Sequence, residues 1–203
     1  PGTNLKFSLL TKGFFLGKFE VTQAQYEAVM KGNTDGLDTN SVSSAFKSPE
    51  KPTVQVSYED VQVFLRYLNN SQLDLVSAGW EFTIPTESEW EYACRAGTNT
   101  AYSWGNELNP SRANYNWDGE WDTGIDFRLR TVGNYAPNPW GLFDMHGNVS
   151  EWVMGWYGVY PDGDITDPDF EDIDSEHYVR GGSWYSDTLR AARRGTYSTN
   201  QGD

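Results

Sequence analysis

Hydrophobic and polar positions alternate at the start of the chain, switch to helical spacing three times before residue 97, and then follow no simple period. Leu5, Phe7 and Leu9 alternate with Lys6 and Ser8, the pattern of an edge strand, and residues 14–21 read as its continuation. Thr22 followed by Gln25 spells a capping box, in which side chain and backbone at a helix start satisfy each other. The helix it opens is predicted to run to about Lys31, where Gly32 ends it, with Tyr26, Val29 and Met30 on one core-facing side. Residues 33–51 are rich in Gly, Asn, Asp and Ser without periodicity and read as loop; residues 52–56 read as a short strand. Ser57 with Asp60 repeats the cap, and Val61, Phe64, Leu65 and Leu68 give an amphipathic stripe expected to stop at Asn69-Asn70. A third cap, Thr86 with Glu89 just after Pro85, opens a helix that turns Trp90, Ala93 and Cys94 inward and ends at Gly97.

Beyond Gly97, aromatic residues alternate with Asn-Pro, Gly-Asn and Asp-Gly turn formers, so this half is expected to be irregular chain held by buried rings. Residues 151–157 and 178–184 are the stretches there that read as strands. A hydrophobic fraction of 37% argues against long buried helices, and no linker divides the 203 residues, so one α+β domain spanning 1–203 is expected.

Charge narrows the partners. A formal net charge of −14 repels phosphate backbones and anionic lipid, and no apolar run is long enough to span a bilayer. Neither a nucleic-acid partner nor membrane insertion is expected. The acids concentrate in residues 162–176, which read either as a solvated loop or as a further cation site. The single cysteine excludes an internal disulfide, and no basic stretch followed by an apolar run marks a signal peptide. A soluble chain is expected; its compartment, cytoplasmic or exported, stays open.

Residues 141–152, Gly-Leu-Phe-Asp-Met-His-Gly-Asn-Val-Ser-Glu-Trp, crowd two glycines, two carboxylates and an Asn into one short segment. Two readings fit: a Gly-rich turn with solvated acids, or a loop whose oxygens converge on calcium, with Asp144 and Glu151 supplying charge. Cys94 reads as a packed core thiol rather than a nucleophile. His146 and His177 lack the spacing of a metal triad and read as loop or surface residues, and Ser183 as a turn residue bonded to backbone.

The same segment and the later Arg180-Gly-Gly-Ser-Trp184 resemble the two signatures of the formylglycine-generating enzyme (sulfatase-modifying factor) family. Residues 15–26, residues 84–97, Ala113-Asn114 and residues 138–148 are similar to further motifs of that family, in the same order. The resemblance implies a C-type lectin-like variant fold, with two or three helices against twisted antiparallel sheets. It also implies structural calcium. One site would use the Asp144 and Glu151 side chains with the Gly147 and Val149 carbonyls. A second would use Asn114, the Tyr115 carbonyl and an acid between residues 122 and 128, either Asp126 or Asp122.

The family oxidises a peptide cysteine with copper held by a cysteine pair just after Gly-Gly-Ser. In this chain Ser186 takes the first of those positions, a residue near Ala191 the second, and no cysteine follows Cys94. A hydroxyl is too hard to replace a thiolate on cuprous copper, so copper is not expected. The segment from Trp184 onward mixes Tyr, Ser, Asp, Asn and Arg, the composition of antibody-like contact surfaces. It also resembles the variable region of diversity-generating retroelement proteins. Trp184, Tyr185, Ser186, Asp187, Arg190, Tyr197, Ser198 and Asn200 are the candidate contacts for a protein or peptide ligand. Arg190, Arg193 and Arg194 read either as buried ion-pair residues or as ligand contacts. The family's closing Gly-Phe-Arg strand does not occur before Asp203. The expected role is non-catalytic recognition; the alternatives are an oxidoreductase with non-cysteine chemistry and an accessory module of a larger protein.

Overall fold

The computed structural model describes residues 8–32, 47–115, 129–156, 165–166 and 176–198. All three capping boxes form. Thr22 Oγ1 accepts from the Gln25 N–H at 3.2 Å and Gln25 Oε1 from the Thr22 N–H at 2.9 Å, opening α1 (Gln23–Met30). Ser57 and Asp60 do the same for α2 (Tyr58–Ser71), and Thr86 and Glu89 for α4 (Glu87–Arg95). Each pair satisfies two backbone donors that the first helical turn leaves bare. Helix α4 ends as Ala96 and Gly97 turn left-handed at φ 46° and 85°.

Two helical expectations need correction. Helix α2 runs past Asn69-Asn70 to Ser71, because the Asn69 side chain, instead of ending the helix, exchanges hydrogen bonds of 2.9 Å with the Phe82 backbone. A short exposed helix, α3 (Leu73–Ser77), then follows without a side-chain cap.

The strand expectations fare less well before residue 100. Beyond β1 (Ser8–Leu9), residues 14–21 join no sheet. Their backbone is spent on single contacts, Phe143 N–H to Lys18 O at 3.0 Å and Thr53 N–H to Val21 O at 2.8 Å. Residues 52–56 form only an isolated bridge, Thr22 to Pro52. Pro52 has no N–H to give, and Gln55 at φ 59° breaks the extended run.

Three strands make the main sheet, in the order β2 (Glu151–Trp156), β4 (Glu176–Arg180), β5 (Gly195–Ser198), all antiparallel. A two-residue strand, β3 (Ile165–Thr166), pairs in parallel with β1. Strand β4 stops at Arg180 rather than Trp184, since Gly181 and Gly182 adopt φ of 84° and 71° and carry the chain out of the sheet. The chain returns fourteen positions later as β5, which places Tyr197 opposite His177 and Ser198 opposite Glu176.

The principal core lies where α4 meets the sheet: Trp90, Cys94, Met145, Val153, Tyr178 and Ala191. A second cluster joins α1 to α2, with Tyr26 stacked on Phe64 at 5.2 Å. Between α4 and the sheet, the fully buried Arg180 pairs with Glu87 and Glu91, and Arg194 pairs with Glu87 while lying over the Tyr178 ring at 4.0 Å. Arg180 and Arg194 are thus ion-pair residues of the frame.

Candidate functional site

The loop before β2 is built from left-handed backbone. Asp144, Gly147 and Asn148 have φ of 55°, 89° and 68°. Gly147 is required twice over, because a Cβ there would fall 2.2 Å from the Asn114 carbonyl oxygen. That close approach forms a bridge between Asn114 and Gly147, and the Gly147 N–H reaches the Gly181 carbonyl at 3.1 Å. The two family-like motifs therefore touch.

Asn148 is the hub, and nothing in the sequence singled it out from the motif around it. Its N–H donates to Asn114 O at 2.9 Å, its carbonyl accepts from Trp184 N–H at 2.8 Å, and its Oδ1 accepts from Asn114 Nδ2 and Arg130 N–H, each at 3.0 Å. Its Nδ2 donates to Glu20 Oε2 at 2.7 Å. Glu20 also accepts the Val149 N–H at 3.1 Å.

Three carboxylates, Glu20, Asp144 and Glu151, lie close enough for their charges to oppose one another. Glu20 is held well above the usual carboxylate range by burial first and by the charges of Asp144 and Glu151 next. Burial pushes Glu151 up to about 7, with Asp144 adding to the rise. Burial also raises Asp144, although its Oδ2 accepts the Gly133 N–H at 2.6 Å. Such acids are held toward the protonated form by burial, and a divalent cation would offset their charge if one were bound. The donors suit a hard ion, being oxygen only: the Asp144 and Glu151 carboxylates and the Gly147 and Val149 carbonyls. Among the described residues no three His, Cys, Asp or Glu side chains close on one point as a metal cluster, so the carbonyls would have to complete the set.

For the other expected calcium site, Asn114 and Tyr115 are both buried, with Tyr115 in a cluster with Tyr102, Ala113 and Leu189. Asp126 and its rival Asp122 lie outside the described residues.

On the far side of the loop, a cleft of about 280 Å³ is lined by Ser150, Val179, Gly182, Ser186, Arg193, Gly195, Thr196 and Tyr197. The Gly-Gly-Ser turn shapes its rim. Ser186 Oγ accepts the Ser183 N–H at 3.0 Å, the Ser186 N–H returns to Ser183 O at 2.9 Å, and Ser183 Oγ accepts from Tyr185 N–H at 3.4 Å. Of the sequence-derived contacts, Ser186 and Tyr197 line the cleft, and Ser198 follows on the same strand. Tyr185, Asp187 and Arg190 are exposed beside it. Trp184 is half-buried against Val54, Leu129 and Val149, and Asn200 lies outside the described residues. Arg193, read from the sequence as either an ion-pair residue or a ligand contact, also lines the cleft, and Ser150 and Thr196 join it with no local pattern to mark them.

The histidines are not surface residues: both are buried. His146 Nε2 accepts the Ser103 N–H at 3.2 Å, which leaves Nδ1 to carry the proton donated to Leu189 O at 2.7 Å. Burial pushes it down to about 4. His177 stacks on Tyr58 at 3.5 Å. Cys94 is fully buried, and burial pushes its thiol up, away from the reactive thiolate.

A model of the sulfatase-modifying factor enzyme 1-like domain matches residues 6–202. The chain belongs to that family. Among relatives, it is 33% identical to the formylglycine-generating enzyme of Streptomyces coelicolor over 162 residues, 72% of this chain and 48% of that protein. It is 31% identical to that of Bos taurus over 151 residues, 70% of this chain and 37% of that protein. The chain thus spans half or less of the length of these relatives. Treponema denticola variable protein 1 superposes with a TM-score of 0.69 at 24% identity, over 92% of this chain and 80% of that one. This sulfatase-modifying factor domain accordingly has the α+β, C-type lectin-like variant architecture expected from the sequence, with its helices few and its sheet small. No helix among the described residues is long and apolar enough to cross a membrane.

Proposed function

We propose that this sulfatase-modifying factor domain is a non-catalytic recognition module for a protein or peptide ligand, carried on a calcium-stabilised frame. The observation that carries the reading is Ser186. It stands where the family resemblance puts the first copper-binding cysteine, its oxygen taken up by the Ser183 N–H, at the rim of a cleft whose lining contains no sulfur. The chain's single cysteine is buried in the core with its thiol held protonated.

Asp144, Glu151, Gly147 and Val149 would hold the calcium. A bound calcium would supply positive charge that offsets the opposed carboxylates and so would favour the folded loop. The protein's own residues do the rest: Asn148 ties the loop to Trp184 and Asn114, which sets the Gly-Gly-Ser turn against the cleft. Tyr185, Asp187 and Arg190 supply an exposed ring and charges suited to contact, and the reading extends to a retroelement-diversified surface on a fold shared with Treponema denticola variable protein 1.

Two measurements test this. Purified protein supplied with copper, dioxygen and a cysteine-containing peptide should form no aldehyde, whereas turnover would restore the oxidoreductase reading. Selection from a displayed peptide library should yield binders lost on Tyr185→Ala. If selection yields none and the flanking reading frame supplies a further domain that needs this one to fold, the accessory-module reading takes over.

A further inference from the structure

We infer that the cleft beside the Gly-Gly-Ser turn receives a carboxylate, either an acidic side chain or the terminal carboxylate of a peptide. The inference rests on the recognition reading above and names the chemistry it would take. Of the eight lining residues, Arg193 alone is charged, and four others, Ser150, Ser186, Thr196 and Tyr197, carry hydroxyls. A monoanion flanked by hydroxyl donors matches that lining. A dianionic phosphate does not match it well, since one guanidinium set in a chain of formal net charge −14 offers too little positive field.

Two of the lining residues must be glycine for the wall to pack as it does. A Cβ at Gly195 would meet Val179 Cγ2 at 2.9 Å, and one at Gly182 would meet Leu189 Cδ2 at 2.8 Å. Ser186 Oγ spends a lone pair on the Ser183 N–H, which leaves its proton to donate.

The arginines of this segment divide by task. Arg180 and Arg194 are committed to Glu87 and Glu91 beneath the sheet. The side chain of Arg193 is 40% exposed; its Nη1 donates to Thr188 O and lies 3.5 Å from an Asp187 carboxylate oxygen. Asp187 is 84% exposed, so this pair is weak and replaceable. Asp187 thus stands as a tethered competitor for the position a ligand carboxylate would take, and the planar guanidinium fork has further N–H donors for it.

The test is a titration of the arginine side-chain Nε–Hε resonances of the calcium-loaded protein with three short glycine peptides. One ends in a free carboxylate, one carries a central Asp with an amidated end, and one has neither. The Arg193 resonance should shift saturably with at least one of the first two and not with the third; which of the two acts identifies the source. Asp187→Asn should tighten that binding roughly two- to fivefold, the equivalent of an exposed ion pair worth up to about 1 kcal/mol. Arg193→Gln should abolish it at an unchanged melting temperature. Equal response to all three peptides, retention in Arg193→Gln, no response at all, or weaker binding in Asp187→Asn would each overturn the inference. If Arg193→Gln does not fold, the Asp187→Asn comparison still decides. Selected ligands that bind well regardless of Arg193 would leave recognition standing and remove only the carboxylate.

Discussion

Asn114 and Asn148, thirty-four positions apart, clasp each other: the Asn114 amide donates to Asn148 Oδ1 at 3.0 Å and the Asn148 N–H to the Asn114 carbonyl at 2.9 Å. The clasp joins the irregular middle of the chain to the loop that precedes β2, and through Glu20 it reaches the N-terminal segment as well.

Removing that hub should be costly. Asn148→Ala would remove the side-chain acceptor of the buried Asn114 amide and of the Arg130 N–H, and one of the two donors to Glu20. A loss of about 2–4 kcal/mol is expected, since each stranded buried polar group costs about 1–3 kcal/mol. Chemical denaturation with an unchanged slope would measure it; a loss below about 1 kcal/mol would show that the clasp is dispensable.

Two glycines with nearly equal φ should behave differently. Gly141 and Gly147 have φ of 84° and 89°, but a Cβ at Gly141 meets nothing within 4 Å, whereas one at Gly147 collides with Asn114. Gly141→Ala should cost about 1–2 kcal/mol, the left-handed penalty alone. Gly147→Ala should cost at least about 2 kcal/mol more, read as the difference in unfolding free energy between the two variants.

The loop proposed to hold calcium makes a pH-dependent prediction. Glu151 rises from its ordinary value to about 7 on folding, so the calcium-free fold draws stability from this group at low pH and loses it as pH rises through about 7. Glu20 and Asp144 shift in the same direction. Calcium should therefore raise the melting temperature more at pH 8 than at pH 6, where protons compete for the carboxylates. Scanning fluorimetry with calcium or chelator at both values checks this; identical melting with and without the ion at pH 8 would remove calcium from the account.

His146 acts with the opposite sign. Its folded value of about 4 lies below the ordinary imidazole value, so the stability of the neutral form is present above about pH 6.5 and is lost as pH falls toward 4. His146→Gln should flatten the acid side of the stability profile below pH 6. An unchanged acid limb would locate that sensitivity elsewhere.

Cys94 should resist a soluble maleimide in the native protein and react once it unfolds, because the thiol is fully buried and held protonated. Rapid native labelling would place a reactive sulfur where the proposed function has none.

The parts legible in the sequence were the local ones. A capping box is written in four consecutive residues, so all three helix starts were readable, as was the burial of Trp90, Ala93 and Cys94. Residues 14–21 misled because apolar content signals burial without saying what the backbone will pair with, and Pro52 and Gln55 deny it a partner strand. Glu20 could not be singled out, since the groups that define its role, Asn148 and Val149, lie 128 and 129 positions away. The cleft escaped notice for the same reason: Ser150 and Arg193 meet only after β2, β4 and β5 assemble.

The buried ion pairs of Arg180 and Arg194 grip the excursion between β4 and β5 at both its ends, from underneath. The exposed Tyr185, Asp187 and Arg190 are thereby expected to be exchangeable for other side chains while the ion pairs that hold the chain stay where they are. Such an arrangement uncouples what the surface says from whether the molecule survives, which is the physical precondition for evolving many specificities on one scaffold.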